Sequence, residues 1–365
     1  MHDLTKNKHS IMILLLKGMS ILFNDIFLRA CRKEAVPFTP VWFMRQAGRY
    51  QSEYRAIRER YSFFEISHHP DVCAKVTRLP VEKLGVDTAI LFADIMTPLK
   101  ARGLKVEIVE GVGPVFNHPI RTGADFSHWR SLDAASDLPY VLETVQLLHQ
   151  QLNVPLIGFA GAPFTLASYL IEGGPSKNYH RTKGFMYAHP EDWAALMEDL
   201  AEMTLNYLHA QIRCGAQAVQ VFDSWVGALS AEDYHRYLAP TMQRIFSELK
   251  KTHAVSLYFA AGAGHLLPEW NQLPIDVLSI DWRTSFADLG RLGIEKAIQG
   301  NLDPSLLLAP LPMLKERAKR LLEERNGKPG YIFNLGHGIF PEVSEDKLLA
   351  LTQFVHAYSQ QLGSQ

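Results

Sequence analysis

Short runs of apolar residues recur along the chain, and each ends abruptly at a polar stretch rich in glycine, aspartate or histidine. Because these runs are continuous and do not alternate with polar residues, they are typical of parallel strands buried on both faces. Eight runs are predicted as strands: residues 40–43, 88–93, 156–160, 218–222, 255–259, 277–280, 297–298 and 331–333.

Segments with helical spacing of apolar residues separate these runs. From Pro190 the apolar positions follow three- and four-residue spacing as far as Gly215, which predicts a helix between them. Further helices are predicted over 230–249, with Ser230 as the N-cap, over 313–325 and over 345–358. Strands and helices that alternate without a break in composition predict one α/β domain.

Eight repeats favour a closed barrel over an open doubly wound sheet, and no glycine-rich nucleotide-binding motif follows the first run. We therefore predict an α/β fold, a single-domain (β/α)8 TIM barrel over residues 21–365. The alternating segment 105–109, followed by a glycine-rich turn, predicts a small β-hairpin inserted after strand 2. Residues 1–20 are predicted to be a poorly ordered N-terminal extension, with Met12 or Met19 as alternative starts.

Composition and charge narrow the possible partners. The 365 residues carry 37 lysines and arginines against 38 acidic residues, so no global field attracts nucleic acid or an anionic membrane. The apolar stretch 11–16 is too short to span a bilayer. Cys31, Cys73 and Cys214 are widely spaced and form no zinc-binding pattern, so we expect reduced thiols, a cytoplasmic protein and no metal.

In a barrel of this type the active site forms at the carboxyl ends of the strands, where the following loops converge. Polar residues at these ends are therefore predicted to meet in space although they are far apart in sequence. They are Arg45, Arg49, Asp94, Tyr169, Ser224, His265, Asp281 and His337.

Each candidate has a structural alternative. Arg45 and Arg49 can present two guanidinium groups to carboxylate or phosphate; solvated surface arginines are the alternative, which their place directly after a strand disfavours. Asp94 ends an apolar run, where a carboxylate needs partners, and a helix N-cap or a salt bridge would also explain it. For Asp281 the structural role is favoured. His337 lies between two glycines, which let a ligand approach the backbone closely.

Five motifs at these strand ends resemble those of the uroporphyrinogen decarboxylase family. They are P-V-W-F-M-R-Q-A-G-R-Y at 40–50, F-A-D-I at 92–95, G-F-A-G-A-P-F-T-L-A-S-Y-L-I-E-G-G at 158–174, F-D-S-W-V-G at 222–227 and F-N-L-G-H-G at 333–338. The resemblance extends roughly from residue 21 to residue 358, and R-Q-A-G-R is its most specific element.

The resemblance implies a homodimer of barrels that works without a metal or other cofactor. Its reaction would convert uroporphyrinogen III into coproporphyrinogen III, with four acetate carboxyl groups lost as CO2, in haem biosynthesis. It implies that Asp94 faces the pyrrole N–H groups. Catalytic roles are predicted for Asp94 as the counter-charge and for Arg45 and His337 from the need for a proton; the proton donor stays open between Arg45, His337 and water held by Arg45. The substrate-binding residues that it implies are Arg45, Gln46, Ala47, Gly48, Arg49, Asp94, Tyr169, Ser224 and His337.

Two other functions compete with this interpretation. A corrinoid-linked or thiol-directed methyltransferase would use a similar barrel, but it would need zinc-binding cysteines near the strand ends, where none is predicted. A non-catalytic porphyrinogen carrier is the second alternative, which the full set of candidate residues disfavours and which an activity assay would decide.

Overall fold

A curved parallel sheet lies at the centre of the computed structural model, which describes residues 23–109, 113–325 and 327–363. The strands of these described residues are Ala89–Ile90 (β1), Val106–Val109 (β2), Gly113–Phe116 (β3), Leu156–Gly161 (β4), Ala218–Phe222 (β5), Val255–Phe259 (β6), Val277–Ser279 (β7), Ala297–Leu302 (β8) and Tyr331–Leu335 (β9). The sheet has the order β1-β4-β5-β6-β7-β8-β9, which follows the chain as repeated strand–helix units require.

The predicted first strand, residues 40–43, fills the gap between the two edges of this sheet. Val41 forms a parallel bridge with Phe333 of β9, and Phe333 N donates to Pro40 O over 2.9 Å. On the other side, Asp87 N donates to Val41 O over 2.8 Å, just before β1. The predicted eight-stranded barrel is therefore confirmed, with its first strand reduced to a single bridge. We call this junction, residues 40–43 with Asp87, the seam.

The side chain of Asp87 reinforces the seam. Its buried carboxylate accepts hydrogen bonds from Val41 N at 2.8 Å and from the Asn24 side chain at 3.1 Å, and it pairs with His356 Nε2 at 2.7 Å. His356 lies on the last helix, Glu345–Gly363. One carboxylate thus ties the first strand to segments from both ends of the described chain.

A buried polar chain inside the barrel also holds the first strand. Trp42 Nε1 donates to Gln299 Oε1 at 2.7 Å, and Gln299 Nε2 donates to Ser279 Oγ at 2.7 Å and Gln220 Oε1 at 3.1 Å. All four side chains are buried, so these bonds satisfy polar groups that would otherwise be costly in the interior.

Helices connect the strands and pack outside the sheet. Helix α10 begins at Pro190 and ends before Gly215, whose φ of +117° stops it, as predicted. The helix bounds in the described residues are Ile26–Cys31 (α1), Ser52–Arg58 (α2), Phe63–His68 (α3), Pro70–Leu84 (α4), Thr97–Ala101 (α5), Ala134–Asp137 (α6), Pro139–Gln151 (α7), Pro163–Glu172 (α8), His180–Ala188 (α9), Pro190–Arg213 (α10), Ala231–Tyr237 (α11), Ala239–Leu249 (α12), Leu267–Gln272 (α13), Phe286–Arg291 (α14), Leu311–Arg325 (α15) and Glu345–Gly363 (α16).

The segment predicted as one helix over 230–249 is two helices, and that prediction was wrong. Ser230 does cap the first of them, because its hydroxyl accepts from Asp233 N at 3.0 Å. The helix then breaks at Leu238, since Pro240 lacks an N–H and fits only the first turn of a new helix.

The predicted hairpin is present as β2 and β3, which pair antiparallel with Val106 opposite Phe116 and Val109 opposite Gly113. Phe116 N also donates to Gly173 O over 2.9 Å, which anchors the hairpin beside the end of α8. The predicted extension, residues 1–20, lies outside the described residues.

Candidate active site

The polar residues predicted to meet lie beyond the carboxyl ends of the strands, an end that we call the mouth. Arg45 follows the first strand, Asp94 follows β1, Tyr169 lies on α8 after β4, Ser224 follows β5 and His337 follows β9. This placement comes from the fold, because parallel strands carry all their following loops to one end.

Arg45 has a left-handed backbone, with a φ of +61°. Such a conformation costs a non-glycine residue about 1–3 kcal/mol and is often found at functional sites. Its loop is fixed on both sides, because Met44 N donates to Asn334 Oδ1 and Ile339 N donates to Met44 O, each over 3.0 Å. The arginine side chain lies directly against Gly338, where an added Cβ would be 2.8 Å from Arg45 Cγ. Glycine at 338 is therefore needed for Arg45 to lie across this loop.

The carboxylate of Asp94 is half-buried and has one oxygen already bonded. Oδ1 accepts from Met96 N at 2.8 Å, whereas no described residue donates to Oδ2. Asp94 is not a helix N-cap, because Met96 has that position in the following helix. Burial raises the pKa of Asp94, and the Met96 N–H and the Arg45 charge both oppose that rise. One oxygen is thus structural, and the other can accept hydrogen bonds from a ligand.

His337 is half-buried beside charged groups of the mouth. Burial lowers the pKa of its imidazole, the Arg45 guanidinium lowers it further, and Asp281 acts in the opposite direction. The imidazole is therefore neutral at pH 7 in the free protein. A carboxylate ligand bound to Arg45 would offset one cause of this shift.

Tyr169 joins the segment after β5 through aromatic contacts. The ring centroids of Tyr169 and Trp225 are 5.9 Å apart, and Tyr179 lies 5.6 Å from Trp225. Burial raises the pKa of Tyr169 to about 12, so its hydroxyl remains a hydrogen-bond donor at neutral pH. Ser224 immediately precedes Trp225 and is therefore next to this cluster.

The charge of Arg45 affects the other candidate residues of the mouth. It acts on the pKa of Asp94, of Tyr169 and of His337, so the Arg45 guanidinium lies near each of these three side chains. Both arginines are exposed, but Arg49 is not part of this set, because the described group that its charge affects is a tyrosine of α2. Its predicted role in binding rests on its position on the same loop as Arg45.

Aromatic rings form an apolar floor beneath these polar groups. Phe159 lies within β4, and Phe222 and Phe259 are the last residues of β5 and β6. Their edge-on ring contacts are at 5.4 and 5.9 Å, and Phe259 lies 6.3 Å from the ring of His337. Such a floor suits a ring-shaped ligand whose polar edges reach the surrounding charged and hydroxyl groups.

Gln46 uses its side chain within the protein. It is buried; its Oε1 accepts from Phe43 N at 3.2 Å and its Nε2 donates to Thr88 O at 3.1 Å, which joins the first strand to β1. Ala47 and Gly48 are half-buried in the same turn. The backbone N–H of Gln46 also donates to Phe43 O over 2.9 Å, and its carbonyl accepts from the Tyr50 hydroxyl, so Gln46 shapes the turn that follows the first strand.

Two other candidates have structural partners. His265 is exposed, and its Nε2 lies 2.7 Å from Leu229 O. Asp281 is buried and accepts from Gly262 N at 2.6 Å, from Arg283 N at 3.0 Å and from Arg283 Nη1 at 2.6 Å. Asp281 thus has the structural role that the sequence favoured.

Asp223 is a residue of the site region that the sequence did not single out. It ends β5, is fully buried, and accepts from Thr165 Oγ1 and Tyr258 Oη, each at 2.7 Å. Thr165 Oγ1 in turn accepts from Trp225 N at 3.2 Å, so this carboxylate supports the segment that contains Ser224. Burial raises the pKa of Asp223 to about 6. The only signal in the sequence was its place beside Ser224.

The cysteines lie away from the mouth, as predicted: Cys31 and Cys73 are buried in α1 and α4, and Cys214 follows α10. Among the described residues, no three or more His, Cys, Asp or Glu side chains are grouped so that they could hold a metal ion. Within the same residues, no helix combines the length and the apolar character needed to cross a membrane.

Comparison with known proteins identifies close sequence relatives. A family model described as uroporphyrinogen decarboxylase (URO-D) matches residues 22–358. The chain is 60% identical over 342 residues to the uroporphyrinogen decarboxylase of Geobacillus kaustophilus. The alignment covers 93% of this chain and 99% of that protein. It is 56% identical over 339 residues to the uroporphyrinogen decarboxylase of Bacillus subtilis. That alignment covers 93% of this chain and 96% of the relative.

Solved structures share the fold at much lower identity. A methyltransferase from Methanosarcina mazei superposes with a TM-score of 0.77 and 19% identity over 92% of this chain and 98% of its own. A B12-independent methionine synthase from Shewanella gives a TM-score of 0.57 and 11% identity over 84% of this chain and 92% of its own. Similarity at this level concerns the barrel and not the reaction, whereas the family model and the sequence relatives agree with the motifs of the mouth. The chain belongs to the uroporphyrinogen decarboxylase family.

Proposed function

We propose that this chain is a carboxy-lyase that converts uroporphyrinogen III into coproporphyrinogen III. In each of four rounds an acetate arm takes up one proton and loses CO2, which leaves a methyl group. The observation that carries the proposal at the level of the site is that one carboxylate, Asp94, lies near enough to Arg45 for the arginine charge to lower its pKa, at an end of the barrel where aromatic rings pack together.

An electron-rich pyrrole can act as its own electron sink. Protonation of a ring carbon turns the ring into a cation, which accepts the electron pair of the breaking C–C bond as CO2 leaves. Protonation of the resulting exocyclic methylene, with loss of the proton from the ring carbon, gives the methyl group. The protein must therefore supply a proton, a counter-charge and correct positioning.

Asp94 supplies the counter-charge. A carboxylate repels the acidic arms of the substrate but accepts hydrogen bonds from its pyrrole N–H groups, and Oδ2 is the oxygen available for them. These bonds favour the ionised carboxylate and so oppose the effect of burial on its pKa. Two unit charges about 4 Å apart, at an effective dielectric of about 20, attract by roughly 4 kcal/mol. Where that attraction is gained only in the transition state, it accelerates the reaction about 10³-fold.

Arg45 and Arg49 bind acidic arms of the macrocycle. A guanidinium group matches a carboxylate through two parallel hydrogen bonds, which fixes both distance and orientation. Tyr169, which stays protonated, and Ser224 provide further hydroxyl donors at the mouth.

His337, or water held by Arg45, donates the proton. Arginine itself is a poor acid because its intrinsic pKa is above 12. His337 is neutral in the free protein, partly because of the Arg45 charge, so a carboxylate arm bound at Arg45 raises the pKa of the imidazole and increases the fraction that carries a proton to donate. A kcat that falls with rising pH in the wild type, and loses this dependence in His337→Asn, would assign the proton to His337; unchanged dependence would assign it to water.

Anaerobic incubation of the purified protein with uroporphyrinogen III, followed by counting of the carboxylates in the product, tests the reaction. We expect the tetracarboxylate and four equivalents of CO2. Tight binding without any loss of carboxylate would indicate a carrier and would refute the enzymatic function.

We further propose a homodimer of single-domain barrels located in the cytoplasm, as is expected for this family. Three free cysteines suit a reducing compartment. Light scattering should give about twice the chain mass of 41.2 kDa; a mass equal to that of one chain would contradict the dimer.

A further inference from the structure

The proposed substrate has more acidic arms than the two arginines of the Arg45 loop can bind. It carries four acetate and four propionate arms, so most of its negative charge needs other partners or solvent. Each carboxylate that leaves water at the rim of a cleft is stabilised by a guanidinium placed to receive it. Cationic residues of the mouth outside the Arg45 loop are therefore candidates for binding the remaining arms.

Arg283 is such a residue, on the segment that follows β7. Its guanidinium carbon lies 4.2 Å from the ring centroid of Trp282, and its Nη1 bonds Asp281 at 2.6 Å. The side chain is nevertheless 57% exposed. Stacking and a single anchoring bond hold the planar group in place, so little conformational freedom is lost when it binds a ligand.

The loop that contains His337 links Arg283 to the mouth. A Cβ added at Gly336 would lie 2.7 Å from Trp282 N and 2.9 Å from Trp282 Cε3, so the indole packs directly on the backbone before His337. On the other side of His337, Gly338 packs against Arg45. The backbone of residues 336–338 therefore lies between the Arg45 side chain and Trp282, the neighbour of Arg283.

Electrostatics agree with this arrangement. The Arg283 charge contributes to lowering the pKa of His337, as the Arg45 charge does. Asp281 acts on the same imidazole in the opposite direction and more strongly than Arg283. Arg283 is thus near His337, and the net positive field at the imidazole comes from Arg45.

We propose that Arg283, stacked on Trp282, is a further carboxylate-binding guanidinium of the mouth and takes an acidic arm of the macrocycle on the side of His337 away from Arg45. This assignment rests on the proposed function. Arg283 touches a non-reacting arm, so its contribution is to substrate affinity and orientation and not to the cleavage step.

Steady-state kinetics with uroporphyrinogen III, and anaerobic equilibrium binding of coproporphyrinogen III, test the proposal. Arg283→Ala should raise KM about tenfold, the loss expected for one charge-assisted contact, with kcat within about threefold of the wild type. Arg283→Lys should give an intermediate KM, because an ammonium group keeps the charge and loses the planar fork. Weaker binding of coproporphyrinogen III by Arg283→Ala would identify the arm as a propionate, and unchanged binding with a raised KM as an acetate.

Arg291→Ala is the matched control. Arg291 lies on α14, which follows the same strand, and it is also exposed and paired with an aspartate, Asp288, but it does not contact the mouth. Its KM should equal that of the wild type. An unchanged KM in Arg283→Ala would overturn the proposal, as would a raised KM accompanied by an equal change in Arg291→Ala.

If the wild type binds both porphyrinogens but releases no CO2, the proposed reaction fails, and the binding data still decide the role of Arg283. If the wild type binds neither porphyrinogen, both proposals fail.

Discussion

Replacement of Asp94 by asparagine separates the charge of this side chain from its shape. Asparagine retains Oδ1, so Met96 N keeps the acceptor that it now has at 2.8 Å. The change removes the negative charge and turns Oδ2, which no described residue bonds, into an NH2 group that would face the pyrrole N–H groups. In this variant the new NH2 group and the pyrrole N–H groups are both donors, whereas in the wild type the N–H groups meet a carboxylate.

The expected loss is about 10³-fold in kcat. It follows from the attraction of roughly 4 kcal/mol between a cationic ring and a carboxylate about 4 Å away. The free energy of unfolding should not fall, because burial already raises the pKa of Asp94 and the folded state gains when this charge is removed. Loss of activity and loss of fold are therefore separable in this variant.

The assay measures kcat and KM under anaerobic conditions and, in parallel, the thermal unfolding temperature. Asp303→Asn is the control, since Asp303 also follows a barrel strand and bonds a backbone N–H, that of Ser305 at 2.9 Å, but is not among the proposed substrate-binding residues. A kcat of Asp94→Asn within tenfold of the wild type, with an unchanged unfolding temperature, would refute the counter-charge.

Three other changes test the neighbouring groups. Arg45→Ala should lower kcat and raise KM, each at least about tenfold in steady-state kinetics, because it removes both a carboxylate ligand and the charge that acts on His337; a change in KM alone would limit Arg45 to binding. Gly338→Ala should cut kcat at least about tenfold without unfolding the protein, since the new Cβ would be 2.8 Å from Arg45 Cγ; normal kinetics would show that Arg45 can lie elsewhere. Asp223 has a pKa of about 6 when folded against an ordinary 3.8, so it binds a proton more tightly in the folded state, and its contribution to stability is lost as pH rises from about 4 to about 6. Urea unfolding should therefore show a loss of about 3 kcal/mol over this range in the wild type relative to Asp223→Asn, and a constant difference between the two would contradict the shift.

The barrel strands were predictable where apolar runs are long. Strands β5 and β6 have the predicted bounds because both of their faces are buried. Strand β8 is longer than its predicted run, 297–298, because it continues through Gln299 and Asn301. Both are buried with hydrogen-bond partners on other segments, Trp42 and Thr284 O. A hydrophobic pattern cannot reveal such polar positions, since their partners are distant in sequence.

The site was predictable as far as the strand ends define it. Arg45, Asp94 and His337 each end or follow an apolar run, so topology alone brings them to one face. Arg283 and Asp223 were missed because what marks them is contact with other segments: an indole packed on the loop of β9 for the first, and two hydroxyl donors from α8 and β6 for the second. Such contacts follow from the fold and leave no local signature.

The segment that carries Arg45 has the least backbone pairing in the barrel, because a single bridge at Val41 replaces a ladder there. Its attachment depends on a few side-chain bonds, chiefly those of Asp87 and Trp42. Segments with few backbone hydrogen bonds open locally at low free-energy cost, so amide protons of residues 41–44 should exchange with solvent sooner than those of β4 to β6. Outward movement of this one segment would widen the entrance for a bulky macrocycle and let the product leave. The other strands would meanwhile keep the barrel intact.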